Sequence, residues 1–175
     1  MTDNIEIRES EPRDVPLIKA LYPMAFPDED LLPLVKELLE GSSTVHSLVA
    51  IVEGGLVGHI IFTVCEVAGK VDKVALLGPL AVAPAHQRQG IGSVMVKAGL
   101  TLMENAGVNH VFVLGDPAYY GRFGFEPDDG VMPPYQLPDE WRGAWQSLSL
   151  NQNKTSLLGK LVVTKPWRQK TLWVS

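Results

Sequence analysis

Three features of the sequence predict a mixed α/β fold. KVALLGPLAV (73–82) reads as a strand, AHQRQGIGS (85–93) as a loop, the next stretch as a helix to about Asn105, and HVFVLG (110–115) as a short buried strand. Strand, loop, helix and strand within roughly 40 residues make a βαβ unit, which predicts parallel strands joined by a right-handed crossover. Upstream, VHSLVAIVEGGLVGHIIFTVCEV (45–67) reads as two β-rich segments hinged on Gly54-Gly55. Finally, 175 residues that are 46% apolar and 20% charged suit one core, so a single domain over 1–175 is expected.

Ile5 and Ile7 alternate with polar residues and predict a short first strand, and Pro12 suits the first turn of a helix. In DEDLLPLVKELLEG (28–41), Leu31, Leu34, Val35, Leu38 and Leu39 trace one helical face, with Gly41 as the stop. Gly78-Pro79 lies within the 73–82 strand and predicts an interruption there, because proline cannot donate to a ladder. Ile91, Val94, Met95, Ala98 and Leu102 recur at helical spacing, with Gly107 beyond the helix end. In the tail, 126–143 is loop-like and holds four of the 13 prolines, while WQSLSL and LLGKLVVT read as two late strands, a candidate hairpin. The chain shows neither an internal repeat nor a low-complexity tract.

A net charge of −5 and a pI near 5.3 argue against nucleic acid as a partner, since phosphate binding requires a basic face. GRFGFEP (121–127) faintly echoes the aromatic strand of RNA-recognition domains, but no glycine separates Arg122 from Phe123 and Glu126-Pro127 replaces the continuing strand. Cys65 is the sole cysteine, so neither an intrachain disulfide nor a Cys-rich zinc site is expected. His46, His59, His86 and His110 are scattered without ligand spacing, and no metal is predicted. MTDNIEIRES lacks signal-peptide character and no apolar run approaches a bilayer span, so a cytoplasmic protein without membrane association is expected.

The loop at 85–93 carries the chemistry. Backbone N–H groups at a helix start lack intrahelical acceptors and, together with the helix dipole, attract a phosphate. Gly90 and Gly92 allow a tight turn and a close approach to an oxyanion. A P-loop is rejected because Ser93 follows Gly92 directly, with no lysine between them. A dinucleotide fingerprint is weak because Met95 stands where it wants Gly or Ala.

Gln87-Arg88-Gln89-Gly90-Ile91-Gly92 matches Q/R-x-x-G-x-G/A, and in LGDPAYYGRFGFEP Tyr120, Gly124 and Phe125 form Y-x-x-x-G-F. In this order and spacing the two motifs resemble the GCN5-related N-acetyltransferase (GNAT) family. Together with GPLAV and LVAIVEGGLVGHIIF they are most similar to its YhbS-type bacterial acetyltransferases. The resemblance implies an α/β (in some schemes α+β) acyl-CoA N-acyltransferase fold, a mixed central sheet with splayed parallel strands flanked by helices. It also implies an acyltransferase (EC 2.3.1.-) with acetyl-CoA as cosubstrate, an amine acceptor and no metal; homodimers are common in the family.

Residue by residue, the resemblance places the pyrophosphate on the backbone from Gln87, Arg88 and Gln89 through Gly90, Ile91, Gly92 and Ser93, with Arg88 a candidate charge contact. It sets the pantetheine arm against the backbone of Leu80 and Val82, as an added strand would lie, and makes the Leu80 N–H a candidate oxyanion donor. Tyr120, separated from Gly124 by three residues, is the candidate acid for the departing thiolate and a cofactor contact. No base is assigned: Glu66 reads as an exposed edge carboxylate. Asp28, Glu29 and Asp30 read as helix caps or as attractors of a cationic amine. Trp141, Trp145, Trp167 and Trp173 read as late-strand packing or as walls of an acceptor pocket or dimer contact. The alternative function is an acetyl-CoA- or CoA-binding sensor or scaffold that transfers nothing.

Overall fold

The computed structural model describes residues 4–41, 43–150 and 157–174. The chain forms two compact units, Met1–Phe62 with Gly78–Leu102, and Thr63–Leu77 with Met103–Ser175. The strands are β1 (Ile5–Glu9), β2 (Val45–Val52), β3 (Gly55–Val67), β4 (Lys73–Val82), β5 (His110–Leu114), β6 (Glu126–Pro127), β7 (Val131–Met132), β8 (Trp145–Ser149) and β9 (Gly159–Val162). The helices are α1 (Val15–Ala25), α2 (Leu32–Leu39), α3 (Ile91–Asn105) and the single turn α4 (Pro117–Tyr120). The sheet runs β1-β2-β3-β4-β5-β8-β6, with β9 on β3 and β7. It is mixed: β4 and β5 are parallel, whereas β1 with β2, β5 with β8 and β3 with β9 are antiparallel. Among the described residues no helix is long and apolar enough to cross a membrane.

In the first unit, α1 and α2 bury Ile18, Leu21, Tyr22 and Val35 in one cluster with Val49 of β2 and Ala81 of β4. The predicted face of α2 is observed, with Leu34, Val35 and Leu38 buried and Pro33 in the first turn. Pro12, by contrast, opens a 3-10 turn (Pro12–Asp14), and α1 starts only at Val15. That turn is fixed by Asp14, whose carboxylate accepts from Arg8 Nη1 and Nη2 at 2.7 and 3.0 Å and from the Glu11 backbone N–H at 2.7 Å. These donors hold the Asp14 carboxyl down at about 2.

The β2–β3 turn is centred one residue earlier than predicted, with positive φ at Glu53 (51°) and Gly54 (79°). Two successive positive φ values give the two-residue turn whose twist suits a hairpin. The buried face of α3 is also rotated from the predicted one: Met95, Val96, Gly99 and Met103 are buried, whereas Val94, Ala98 and Leu102 are only half-buried. Gly99 explains the rotation, because a Cβ there would collide with the Phe62 ring, so the helix lies with its glycine against the aromatic.

In the second unit, Phe112 stacks on Trp145 at 5.5 Å between centroids, and Trp173 meets Trp145 edge-on at 5.7 Å, within a cluster that includes Val67, Val74 and Leu161. The two late strands are not a hairpin. β8 pairs with β5 and β6, while β9 pairs with β3 and β7, so their apolar faces fill different positions in the sheet. The proline-rich stretch 126–143 holds the two-residue strands β6 and β7 and a 3-10 turn beginning at Asp139, more order than its composition predicts.

Overpacking a full core costs about 1–3 kcal/mol, so Gly99→Ala is expected to lower stability by that amount in denaturant unfolding. Because Asp14 titrates at about 2 in the fold against 3.8 ordinarily, its contribution is complete above pH 4 and disappears as pH falls towards 2. Asp14→Asn should therefore remove the steepest part of the acid-unfolding curve in that window, read by circular dichroism.

Candidate active site

Two successive features of the first unit shape the site, the end of β4 and the loop after it. β4 pairs with β5 only from Val74↔His110 to Leu76↔Phe112, yet continues to Val82. Burial changes at the same place: Val74 to Leu77 are buried, and Gly78, Pro79, Leu80 and Val82 are half-buried. The Ala83 N–H donates to the Val57 carbonyl of β3 at 2.8 Å. Backbone polar groups alternate between the two edges of a strand, so the Leu80 and Val82 N–H groups point to the edge away from β3. The strand itself is continuous through Gly78-Pro79; the expected interruption takes the form of pairing that stops at Leu76.

A 3-10 turn (Pro84–His86) then leads into the loop. Arg88, at φ 63°, and Gly90, at φ 84°, are both left-handed, which reverses the chain so that α3 can start at Ile91. For Arg88 this is an uncommon backbone conformation that costs energy. The first bond of α3 runs from the Val94 N–H to the Gly90 carbonyl at 3.0 Å. The N–H groups of Gly90, Ile91 and Gly92 therefore precede the helix's own ladder, at its positive end. The glutamines brace this turn. Gln87 Nε2 donates to the Val82 carbonyl at 3.0 Å and Gln89 Nε2 to the Ala85 carbonyl at 3.4 Å, tying the loop to the end of β4. Arg88 is exposed.

Tyr120 belongs to the second unit, at the end of α4, whose N-cap Asp116 accepts from the Ala118 N–H at 2.9 Å. The Tyr120 ring is packed edge-on against Tyr119 and Phe125, at 5.0 and 5.8 Å between centroids. Burial, with a smaller contribution from Tyr119, raises its phenol well above the ordinary tyrosine value, so it stays protonated across the neutral range. Gly124, at φ 101°, turns the chain behind it into β6.

The chain matches the Acetyltransferase (GNAT) family over residues 13–125. It belongs to that family. Escherichia coli YjhQ, an uncharacterised N-acetyltransferase by name, is 36% identical over 172 residues, covering 94% of this chain and 89% of YjhQ. E. coli YhbS, named likewise, is 36% identical over 147 residues, covering 83% and 86%. The crystal structure of E. coli YhbS in complex with CoA superposes with a TM-score of 0.86 at 28% identity, over 95% of this chain and 93% of that one. A GNAT acetyltransferase from Brucella melitensis in complex with acetyl-CoA gives 0.75 at 27% identity, over 94% and 98%.

In this GNAT chain the remaining predicted residues separate clearly. Glu66 is an exposed carboxylate as expected, but not at a sheet edge: on β3 it pairs opposite Val162 of β9. Asp28, Glu29 and Asp30 do not cap α2: the N-cap is Leu31, no side chain caps the helix, and its first turn holds no acidic residue. They line, with Tyr22 and Phe26, a cavity of about 350 Å³ in the first unit. Trp145, Trp167 and Trp173 are packing residues, whose indole N–H groups donate to Val131 O, Thr63 Oγ1 and Trp167 O at 2.7, 3.2 and 3.0 Å. Trp141 is half-buried beside the 3-10 turn. Among the described residues no group of three or more His, Cys, Asp or Glu could hold a metal ion.

Gly115 was not singled out in the sequence, yet it determines where the tyrosine sits. A Cβ at 115 would come within 2.5 Å of Tyr120 Cε2. A glycine ending a buried strand five residues before the tyrosine reads as an ordinary turn residue, and only the packed ring reveals its role. Gly115→Ala is expected to displace the Tyr120 ring and lower stability by about 1–3 kcal/mol; in a Tyr120→Ala background, where the ring is gone, the same substitution should cost little in thermal unfolding.

Proposed function

We propose that this protein is an acetyl-CoA-dependent N-acetyltransferase, a single domain over residues 1–175, that moves acetyl to a primary amine by direct attack in a ternary complex. The observation carrying this is the succession in the first unit of an open β4 edge at Leu80 and Val82, a left-handed turn at Arg88 and Gly90, and a helix N-terminus. The crystal structures of relatives in complex with CoA and acetyl-CoA support the choice of ligand.

The cosubstrate supplies an activated acetyl thioester. The backbone from Gln87 to Ser93 holds its pyrophosphate at the positive end of α3, with Arg88 adding a charge from its exposed position. The backbone of Leu80 and Val82 pairs with the pantetheine arm as a neighbouring strand would. Gln87 occupies one lone pair of the Val82 carbonyl, which leaves the second lone pair and the Val82 N–H for that pairing. The Leu80 N–H stabilises negative charge that builds on the thioester oxygen as the neutral amine attacks. As the C–N bond forms and the C–S bond breaks, Tyr120 gives its phenolic proton to the departing thiolate and CoA leaves as the thiol; the proton the amine nitrogen loses passes to solvent, which restores the phenol. The acceptor is a small-molecule or peptide amine.

A ligand that binds only the folded state adds about 2.7 kcal/mol of apparent stability at 100 times its dissociation constant. Acetyl-CoA and CoA are expected to raise the Tm, with NADH leaving it unchanged; no shift with either CoA form would remove the reading. In an amine screen, Tyr120→Phe should lower kcat by roughly 10²-fold while binding acetyl-CoA normally. Binding without thiol release from any amine would instead assign a CoA-binding sensor or scaffold.

A further inference from the structure

A buried polar chain in the first unit has no place in the proposed chemistry. Tyr22 Oη lies 2.7 Å from His59 Nδ1, His59 Nε2 lies 2.7 Å from Ser47 Oγ, and Ser10 Oγ donates to Ser47 Oγ at 2.7 Å. It links α1, β3, β2 and the end of β1. His59 is 0% and Tyr22 1% exposed. Burial pulls His59 down to about 3 and pushes the Tyr22 phenol well up, so both are neutral at ordinary pH. A neutral imidazole donates from one nitrogen and accepts at the other, and this chain gives each a partner. Such a network is costly if any link is broken, and fully satisfied it holds its members in one arrangement.

That arrangement bears on β4. Tyr22 shares a buried cluster with Ala81, the residue between Leu80 and Val82, and Ala83 packs against the same cluster. The bond from Ala83 to Val57, followed two residues along each strand, puts His59 across the sheet from Ala81. The hydrogen-bonded pair thus supports β4 twice at Ala81, by the Tyr22 ring over its face and by β3 along its edge. Because backbone polar groups alternate between the two edges of a strand, holding Ala81 against β3 and α1 sets the N–H and C=O groups of Leu80 and Val82 at the opposite edge.

We infer that Tyr22 and His59 are positioning residues for the acyl-pantetheine arm, setting the backbone of Leu80 and Val82 without touching the cosubstrate. This rests on the acetyl-CoA reading above. The full-length protein and its Tyr22→Phe variant are titrated calorimetrically with CoA, acetyl-CoA and 3′-phosphoadenosine 5′-diphosphate, which carries the pyrophosphate but lacks the pantetheine arm. Tyr22→Phe is expected to weaken CoA and acetyl-CoA by about tenfold, equivalent to ~1.4 kcal/mol, and to leave the arm-less probe unchanged. His59→Gln, which keeps a donor and an acceptor, should recover part of the CoA affinity lost in His59→Leu.

Equal weakening of all three probes, or a lower Tm with an unchanged affinity ratio, would reduce the chain to a structural brace and overturn the inference alone. Wild-type protein that binds none of the probes would overturn the donor reading and this one with it. Should Tyr22→Phe fail to fold, Ser47→Ala, which cuts the next link, decides by the same ratio.

Discussion

Everything in the donor half of this protein depends on β4 having partners on both sides at its start and on one side at its end. Pairing with β5 stops at Leu76↔Phe112 while the strand continues to Val82. An unsatisfied strand edge is ordinarily a hazard, and here it directly precedes a helix start with N–H groups of its own. An extended amide-bearing arm and a phosphate group thus meet hydrogen-bond donors on consecutive segments of one chain. The loop between them has little freedom, braced to the end of β4 by Gln87 and to its own 3-10 turn by Gln89.

The division of labour between backbone and side chains follows. In the proposed chemistry Leu80, Val82, Gly90, Ile91 and Gly92 contribute main-chain groups only. Arg88 and Tyr120 are the proposed participants that act through side chains, and burial raises the Tyr120 phenol further above the ordinary tyrosine value. Burial has opposite consequences for the two titratable partners in the Tyr22–His59 pair, raising one and lowering the other, so that both stay uncharged.

Much of this was legible in the sequence because it is written in local pattern. The βαβ unit, the start of α3 after Gly90, the short helix carrying Tyr120 and the face of α2 follow from periodicity, glycine placement and the two family motifs. What could not be read was non-local. The buried face of α3 turns on a contact between Gly99 and Phe62, and the role of Gly115 on the packing of Tyr120. The late strands separate into different sheet positions because β3 and β7, far away in sequence, offer edges to β9. Asp28, Glu29 and Asp30 have the composition of a cap, but the helix starts one residue later than they offer, with Leu31 as its N-cap. His59 carries no sequence signal at all, since its partners, Tyr22 and Ser47, come from two other elements.

The sole cysteine has a practical bearing on assay design. Cys65 is 7% exposed, and burial, with a smaller contribution from Glu66, pushes its thiol up to about 12. Thiolate, not thiol, is the reactive form, so native protein contributes almost no background to a colorimetric thiol reagent. Free CoA can thus be followed continuously in the presence of high enzyme concentrations, and the same reagent becomes a clock for unfolding once Cys65 is uncovered.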